Sequence, residues 1–128
     1  MHVSNLNYMK NNFKHLAFIA FITCLLLASK GQAQLIKTSL TITVRDELGN
    51  TVAGASVQLF EKEEDYTTEK NSAAEGTTDE KGVVKFKNLK SLPYFVLARK
   101  DDKDNAGGGE QTGKLEEKKF NKVTIVIQ

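Results

Sequence analysis

The sequence predicts an all-β fold, an antiparallel β-sandwich of about seven strands. Short stretches in which apolar and polar residues alternate recur between residues 40 and 127, as they do in half-buried strands. Turns rich in Gly, Asn and Asp separate these stretches, and no apolar pattern with a helical period extends over a useful length. The part of the chain that shows this pattern has about 95 residues, enough for one domain with one modest core.

The first 33 residues have the features of a secretory signal peptide. A basic start precedes an uninterrupted apolar run, Leu16–Ala28, of the length typical of a signal-peptide core. Gly31 and Ala33 then supply small residues before a cleavage at Gln34. We therefore expect residues 1–33 to be removed and the remainder to be exported to the periplasm or the outside of the cell. An uncleaved membrane anchor is the alternative, although the run is shorter than the roughly 20 residues that span a bilayer.

The exported domain, residues 34–128, contains neither His nor Cys. A Ser-His-Asp triad, a cysteine nucleophile and a zinc site with imidazole ligands are therefore excluded, and we expect the domain not to be an enzyme. Of the 18 Lys and Arg residues, three lie in the signal peptide, which leaves one cation fewer than the 16 acidic residues. A net charge near −1 gives no electrostatic indication of nucleic-acid binding.

The first two predicted strands flank a turn. Apolar residues alternate with Thr and Arg over Leu40–Asp46, and with Ser and Gln over Ala55–Leu59. Asp46 and Gly49 are expected to shape the turn between them, because Asp side chains cap turns and Gly accepts a positive φ. Ala55 enters the second strand directly after a turn, where a small side chain lets the sheets approach.

A second hairpin follows an acidic connection. The stretch Glu61–Glu75 has no sustained apolar period, so it is predicted to be a solvated connection with a fraying strand end, and a short helix is the alternative. Asp79 and Gly82 occupy the first and fourth positions expected of a type I turn. The alternation of Val84 and Phe86 with Lys residues continues on the other side of this turn and predicts another strand.

The last third of the chain contains a central strand and a final strand. Pro93–Lys100 is apolar on both faces over much of its length, as expected of a strand inside a packed sheet. Its only Pro stands at the start, where the missing N–H costs least. Val123, Ile125 and Ile127 alternate with polar residues and predict the final strand.

Two stretches of this sequence resemble the carboxypeptidase regulatory-like family, whose domains have a transthyretin-like (prealbumin-like) β-sandwich. The stretches are TVRDELGNTVAGASVQL and GTTDEKGVVKFKNL, and they cover about half of the exported domain. The residues that match the family pattern are Val44, Asp46, Gly49, Val52, Gly54, Ala55, Val57, Leu59, Thr78, Asp79, Gly82, Val84, Phe86 and Leu89. The usual G-x-Y before the next strand is absent, and LPYFVLA takes its place.

The resemblance implies a Greek-key sandwich related to collagen-adhesin B-type domains. It also implies a non-catalytic module for adhesion, scaffolding or recognition in the bacterial envelope, with no cofactor and with another envelope or extracellular protein or a glycan as partner. Structural turn roles are implied for Asp46, Gly49, Gly54, Ala55, Asp79 and Gly82.

The stretch Asp101–Gly113 is predicted to be a long loop and the surface most suited to binding. Long loops without regular structure are usually functional or disordered, and a sandwich carries recognition at its loop ends. Ca²⁺ accepts flexible cages of oxygen ligands, so a calcium-dependent module is the alternative function, with candidate ligands Asp101, Asp102, Asp104, Asn105 and Glu110. A further alternative without a binding role is a solvated loop, since Asp and Gly residues favour turns.

The same loop contains an incomplete nucleotide-binding motif. Gly108–Lys114 reads G-x-x-x-x-G-K, but Leu115 follows where a P-loop requires Ser or Thr to hold Mg²⁺. The residues after Leu115 lead into a predicted strand, whereas a P-loop is followed directly by a helix. The sequence therefore predicts no nucleotide site.

Overall fold

Eight strands and one short helix make up the part of the chain that this computed structural model describes, residues 37–128. The predicted signal peptide and its cleavage site lie outside the described residues. The strands are β1 (Ser39–Arg45), β2 (Ser56–Phe60), β3 (Ala74–Thr77), β4 (Val83–Phe86), β5 (Pro93–Lys100), β6 (Lys103–Asp104), β7 (Gln111–Lys114) and β8 (Phe120–Val126), and the helix is α1 (Glu63–Thr68).

The strands form two sheets. One has the order β4-β1-β8, and the other has the order β3-β2-β5, with β6 and β7 pairing with opposite ends of the same edge of β5. All pairs are antiparallel except β1 with β8, which run parallel from Ser39 opposite Phe120 to Arg45 opposite Val126. The prediction of a wholly antiparallel sandwich is wrong for this pair, because the alternation of a single strand does not reveal the direction of its neighbour.

Strand alternation buries one face of each sheet against the other, which confirms the predicted all-β sandwich. The core cluster draws Leu40, Ile42 and Val44 from β1 and corresponding apolar residues from both sheets, and its fully buried side chains include Val57, Leu59, Tyr94, Val96 and Ile127. All of these lie between residues 40 and 127, so the segment 34–128 contains a complete core of its own. We expect this segment to fold by itself.

The acidic connection Glu61–Glu75 is more ordered than predicted, since it contains α1 and the start of β3. Tyr66 is the buried residue of α1, and its ring packs against Phe60 and Phe95 with centroids 6.1 and 5.6 Å apart. These two rings lie on the outer face of the second sheet, opposite to the main core. The structure thus has the short helix that the sequence analysis gave as the alternative, and a six-residue helix with one anchoring side chain has no apolar period that could have favoured it.

The two Asp-Gly turns share one hydrogen-bond pattern. The Oδ1 atom of Asp46 accepts from the backbone N–H groups two and four residues further on, at 3.0 and 2.9 Å. Asp79 does the same at 2.9 and 3.0 Å. Gly49 and Gly82 each donate an N–H to the carbonyl of the Asp and have φ values of 86° and 76°. Both carboxylates therefore act within their own turns.

Thr78 ties the start of β2 to the end of β3. Its hydroxyl donates to the carbonyl of Val52 at 2.7 Å and accepts from the N–H of Ala55 at 2.9 Å. The N–H of Gly54 donates to the carbonyl of Thr78 at 3.0 Å, and Gly54 has a positive φ of 71°. The buried Thr78 thus gives hydrogen-bond partners to backbone groups of the turn that leads into β2.

Candidate functional site

The stretch Asp101–Gly113 is not the long irregular loop that was predicted. It contains β6 and the first part of β7, and Asn105 between them is buried. The Asn105 Oδ1 atom accepts from the N–H of Ala98 at 2.8 Å, and its Nδ2 donates to the carbonyl of Val96 at 2.8 Å. The side chain thereby takes the place of a strand along the part of β5 that neither β6 nor β7 covers.

Tyr66 of α1 connects the helix to the stretch Asp101–Gly113 by two hydrogen bonds. Its hydroxyl donates to the carbonyl of Asn105 at 3.2 Å and accepts from the N–H of Gly109 at 3.3 Å. The predicted binding surface is therefore a segment held at both its buried Asn and its glycine-rich tip. Such anchoring is typical of a loop that completes the sheet, and it leaves few backbone groups for a ligand.

The predicted calcium ligands do not converge. The oxygen of Asn105 is used by β5, and Asp104 accepts from Arg99 Nε at 3.3 Å and from the N–H of Ala106 at 3.0 Å. Arg99 also donates to Glu69 at 2.7 Å, and these carboxylates raise the pKa of its guanidinium further, that of Glu69 foremost. Among residues 37–128, no three His, Cys, Asp or Glu side chains are grouped closely enough to hold a metal ion. Two of the five candidate ligands, Asp104 and Asn105, are thus engaged within the domain.

We expect neither EDTA nor millimolar calcium to shift the melting temperature of the segment 34–128. Two of the five candidate ligands, Asp104 and Asn105, are already engaged with Arg99 and with the backbone of β5. A thermal scan by circular dichroism in the two conditions is the measurement. A rise of several degrees in calcium that Asp102→Ala abolishes would contradict this expectation and restore the calcium-dependent alternative.

The second half of the incomplete nucleotide motif, Gln111–Lys114, is the strand β7. Lys114 ends β7, and Leu115 is buried with 3% of its surface exposed. The N–H of Gly108 donates to the carbonyl of Asn105 at 3.2 Å. The next element after the motif is the strand β8, as the sequence analysis predicted, whereas a P-loop opens a helix.

A shallow polar depression lies beside β2 and β3 and offers little for a ligand. Glu75 at its rim accepts from Ser72 at 2.7 Å and from Gln58 at 3.0 Å. These two hydrogen bonds lower the pKa of Glu75, that from Ser72 more than that from Gln58. Both hydrogen bonds are accepted by Oε1, so this oxygen of Glu75 is engaged within the domain.

The outer face of the β4-β1-β8 sheet has a different character. Since Leu40, Ile42 and Val44 point into the core, the intervening residues of β1 point outward, and the same alternation holds in β4 and β8. We call this surface the basic face and define it by Thr41, Thr43, Arg45, Lys85, Lys87, Phe120, Lys122 and Thr124.

The register of the strands places the Lys residues on both sides of a row of hydroxyl groups. Lys85 of β4 and Lys122 of β8 both lie opposite Thr41 of β1, on its two sides. Their Cα atoms are therefore about 10 Å apart, which is two strand spacings. Thr43 lies opposite Thr124 in the next outward row. Lys87 continues the alternation beyond Lys85, about 7 Å further along the chain.

The basic face is built from three strands that carry cations and no acidic residue. The sequences of its three strands, SLTITVR, VVKF and FNKVTIV, contain no Asp or Glu. The ion pairs formed among residues 37–128 involve Lys90, Arg99, Lys103 and Lys119, and none of the Lys side chains of the basic face. The exported domain has a net charge near −1, so the positive charge of the basic face is offset by acidic residues elsewhere in the domain.

Phe120 gives the basic face an exposed aromatic ring, 68% of whose residue surface is accessible. Lys85 Nζ lies 4.9 Å from the ring centroid, within the range of a cation–π contact. Because β1 separates the strands of these two residues, the Lys85 side chain crosses over β1. Ser39 lies directly opposite Phe120 on β1 and is only 3% exposed. Its hydroxyl has no hydrogen-bond partner in the described part of the chain.

The opposite side of the sandwich is covered and acidic. Helix α1 closes part of the outer face of the second sheet, where Phe60, Tyr66 and Leu97 form a small buried cluster. The first turn of α1 consists of Glu63, Glu64 and Asp65, which also favours the helix because acidic residues stabilise an N-terminus. Among the described residues, helix α1 therefore covers part of one side of the sandwich and gives it acidic side chains, and the basic face lies on the opposite side.

The described residues contain no helix that is both long and apolar enough to cross a membrane.

Comparisons with known proteins return structural likeness alone. Neither a protein-family model nor a curated protein matches the sequence, so the resemblance to the carboxypeptidase regulatory-like family stays a prediction. BcpA, the major pilin subunit of Bacillus cereus, matches with a TM-score of 0.49 at 22% identity over 72% of this chain and 30% of its own. The Bacillus anthracis TIE protein matches with a TM-score of 0.48 at 24% identity over 72% and 17%.

A third solved structure, the group B streptococcus pilus 2b backbone protein, has a TM-score of 0.46 at 16% identity over 71% of this chain and 40% of its own. The chain thus spans less than half the length of each of these proteins. At this level of similarity, the likeness assigns neither a family nor an activity to the chain.

Proposed function

We propose that the chain is an exported, non-catalytic β-sandwich module that binds a negatively charged component of the bacterial envelope through the basic face. The signal-peptide features of residues 1–33 support export, and the lack of His and Cys in residues 34–128 supports a non-catalytic role. The observation that carries the proposal is the basic face itself, an uncovered sheet surface whose three strands contain Lys, Arg and Thr but no acid.

The basic face supports binding better than the stretch Asp101–Gly113 does. The polar groups of that stretch are engaged with β5, Arg99 and Tyr66. In contrast, Lys87 and Lys122 make no ion pair with other described residues. The backbone that carries these Lys residues is already ordered beside or within a sheet, so a ligand that binds them does not have to order a loop.

A surface that serves only solubility has a different charge pattern. Such surfaces intersperse both signs, as the ion pairs on the other sides of this domain do. The cations of the basic face lie close to one another, and the repulsion between them lowers the stability of the folded domain. Binding of a negatively charged partner would compensate for that repulsion.

The proposal is tested with washed envelope fragments of the producing bacterium and the segment 34–128. We expect Lys87→Glu/Lys122→Glu to lower the retained fraction at least about tenfold, because two attractive contacts become repulsive. Lys62→Glu/Lys70→Glu makes the same change of charge on the side of α1, and this control should be retained like the unchanged protein. Added salt should release the unchanged protein, since screening weakens exposed charges.

Unchanged melting temperatures of both double variants are required before their retention is compared. Equal retention of the Lys87→Glu/Lys122→Glu variant and the unchanged protein would refute binding through the basic face.

A further inference from the structure

We infer that the ligand of the basic face is an acidic polysaccharide, a linear sugar polymer with carboxylate or sulfate groups, which lies along the sheet. This inference rests on the proposed function and specifies its ligand. It follows from four properties of the basic face: its flatness, the spacing of its cations, the hydroxyl groups between them and the aromatic ring at one end.

The basic face suits an extended ligand because it is an open sheet surface. Strand β8 has seven residues, Phe120–Val126, which corresponds to about 20 Å of length. The depression found in the described part of the chain lies beside β2 and β3, on the other sheet. An open sheet surface of this length lets a polymer make contacts at several positions along it.

The cations lie around a row of hydroxyl groups. Lys87 follows β4, Lys122 belongs to β8, and Thr41 and Thr43 lie on β1 between them. Lys85 belongs to β4, and its ammonium group reaches across β1 to Phe120. Lys ammonium groups are flexible point charges that suit carboxylate and sulfate alike. Thr hydroxyls donate and accept hydrogen bonds, as sugar hydroxyls do. The combination matches a ligand with alternating charged and hydroxyl groups.

Phe120 adds an apolar contact at the end of the basic face where β8 begins. Lys85 Nζ lies 4.9 Å from the ring centroid, so the ring is held in place on the sheet. More than half of the residue remains exposed. A ring in this position offers apolar area to the C–H side of a sugar, in addition to the charge contacts.

Other polyanions fit the basic face less well. Single-stranded nucleic acid is bound on several stacked aromatic residues, and here Phe120 is the aromatic residue of the face. A membrane-binding surface inserts a contiguous apolar strip, but Lys122 and Thr124 separate Phe120 from the exposed Val126. The cores of protein interfaces are depleted in Lys, whereas Lys is the main cation of this surface.

The test compares two forms of one sugar polymer, polygalacturonate and its methyl ester, which share a backbone but carry charged carboxylates in one form and uncharged esters in the other. Binding of the segment 34–128 to each is measured by isothermal titration calorimetry and repeated with dextran sulfate against dextran. We expect binding to the charged member of each pair, weakened by salt, and at least tenfold weaker binding to its neutral partner. Lys87→Glu/Lys122→Glu should abolish the binding, while Lys62→Glu/Lys70→Glu should leave it unchanged.

Two milder variants test the sugar-specific contacts. Phe120→Ala removes the ring, and Thr41→Val/Thr43→Val removes the hydroxyls at nearly constant shape. We expect each to weaken polygalacturonate binding about three- to tenfold, which corresponds to the loss of one or two modest contacts. Unchanged affinity in both variants would show that charge alone is recognised and would overturn the assignment to a sugar polymer.

Poly-L-glutamate and vesicles of phosphatidylglycerol serve as competing ligands. Tighter binding to either one than to the charged sugar polymers would overturn the inference in favour of an acidic protein or an anionic membrane. If envelope retention depends on the basic face but neither charged polysaccharide binds, the proposed function stands and its ligand assignment fails. If retention does not depend on the basic face, the proposed function itself fails, whatever the polysaccharides do.

Discussion

Replacing Asn105 by Asp should lower the free energy of unfolding at neutral pH by about 3–5 kcal/mol, although the two side chains have nearly the same shape. The Asn105 amide donates to the carbonyl of Val96 and accepts from the N–H of Ala98, both at 2.8 Å. A carboxylate can still accept from Ala98, but it would place a second oxygen against the carbonyl of Val96. The substitution therefore buries a charge, removes a donor and leaves a backbone acceptor without a partner.

The same substitution should make stability depend on pH in a defined direction. Burial and the facing carbonyl raise the folded-state pKa of the introduced carboxyl above its unfolded value, since only the protonated form can donate to Val96. The penalty is thus present above the folded-state pKa and is relieved as the pH falls below it. Urea unfolding at pH 7 and at about pH 4 measures this, with differences taken against the unchanged protein at each pH.

Asn88→Asp is the matched control for Asn105→Asp. It makes the same chemical change at an exposed position, Asn88, and should shift stability by only a few tenths of a kcal/mol at either pH. Losses for Asn105→Asp that are small, or equal at both pH values, would show that the amide does not hold the edge of β5 as described.

Replacing Gly82 by Ala should lower the free energy of unfolding by about 2–5 kcal/mol, because strain and collision add together. Gly82 has a φ of 76°, a conformation that side chains disfavour. A Cβ atom there would lie 2.8 Å from the Cβ of Thr51, 2.9 Å from the backbone nitrogen of Val52 and 3.1 Å from the carbonyl oxygen of Val44. Two of these three contacts are with backbone, which cannot rotate away.

Gly49→Ala separates the two causes. Gly49 has a similar φ of 86°, but a Cβ there would have no neighbour within 4 Å. This variant should show the strain alone, about 1–2 kcal/mol. In a domain of this size, each kcal/mol corresponds to roughly 4–8 °C in melting temperature, so scanning calorimetry resolves the difference between the variants. Equal losses for Gly49→Ala and Gly82→Ala would contradict the packing described around Gly82.

The strands and the Asp-Gly turns could be predicted because their determinants are local. Period-2 alternation in Leu40–Asp46 depends only on the residues within the strand. The turn at Asp79 likewise contains its own cap and its own glycine, as the hydrogen bonds to its Oδ1 atom show. Sequence reasoning recovered such elements without knowledge of their neighbours.

The elements that were missed depend on partners distant in the chain. Helix α1 is held by Tyr66, which packs on rings from β2 and β5. The order in Asp101–Gly113 comes from Asn105, whose partners belong to β5. An Asp- and Gly-rich stretch has the composition of a mobile loop or an ion site, and only the tertiary structure shows that its one Asn completes a sheet.

The basic face was missed for a related reason. The alternating Lys, Thr and Phe residues are visible in each strand of the sequence, but the strands lie far apart along the chain. They become one surface only because β8 returns to pair with β1 in parallel and places Lys122 across Thr41 from Lys85. The direction and register of that pairing cannot be read from the alternation of either strand.

The parallel pairing of β1 and β8 also determines how the domain responds to tension. Ser39 begins β1 and Val126 ends β8, so these residues lie at opposite ends of the paired strands, about 20 Å apart. A pull that draws them away from each other slides one strand along the other. All the rungs of the seven-residue ladder are then strained at the same time, whereas strands joined by a hairpin would open one rung after another. In a pulling experiment, the domain should therefore resist as a unit and give way in one abrupt step.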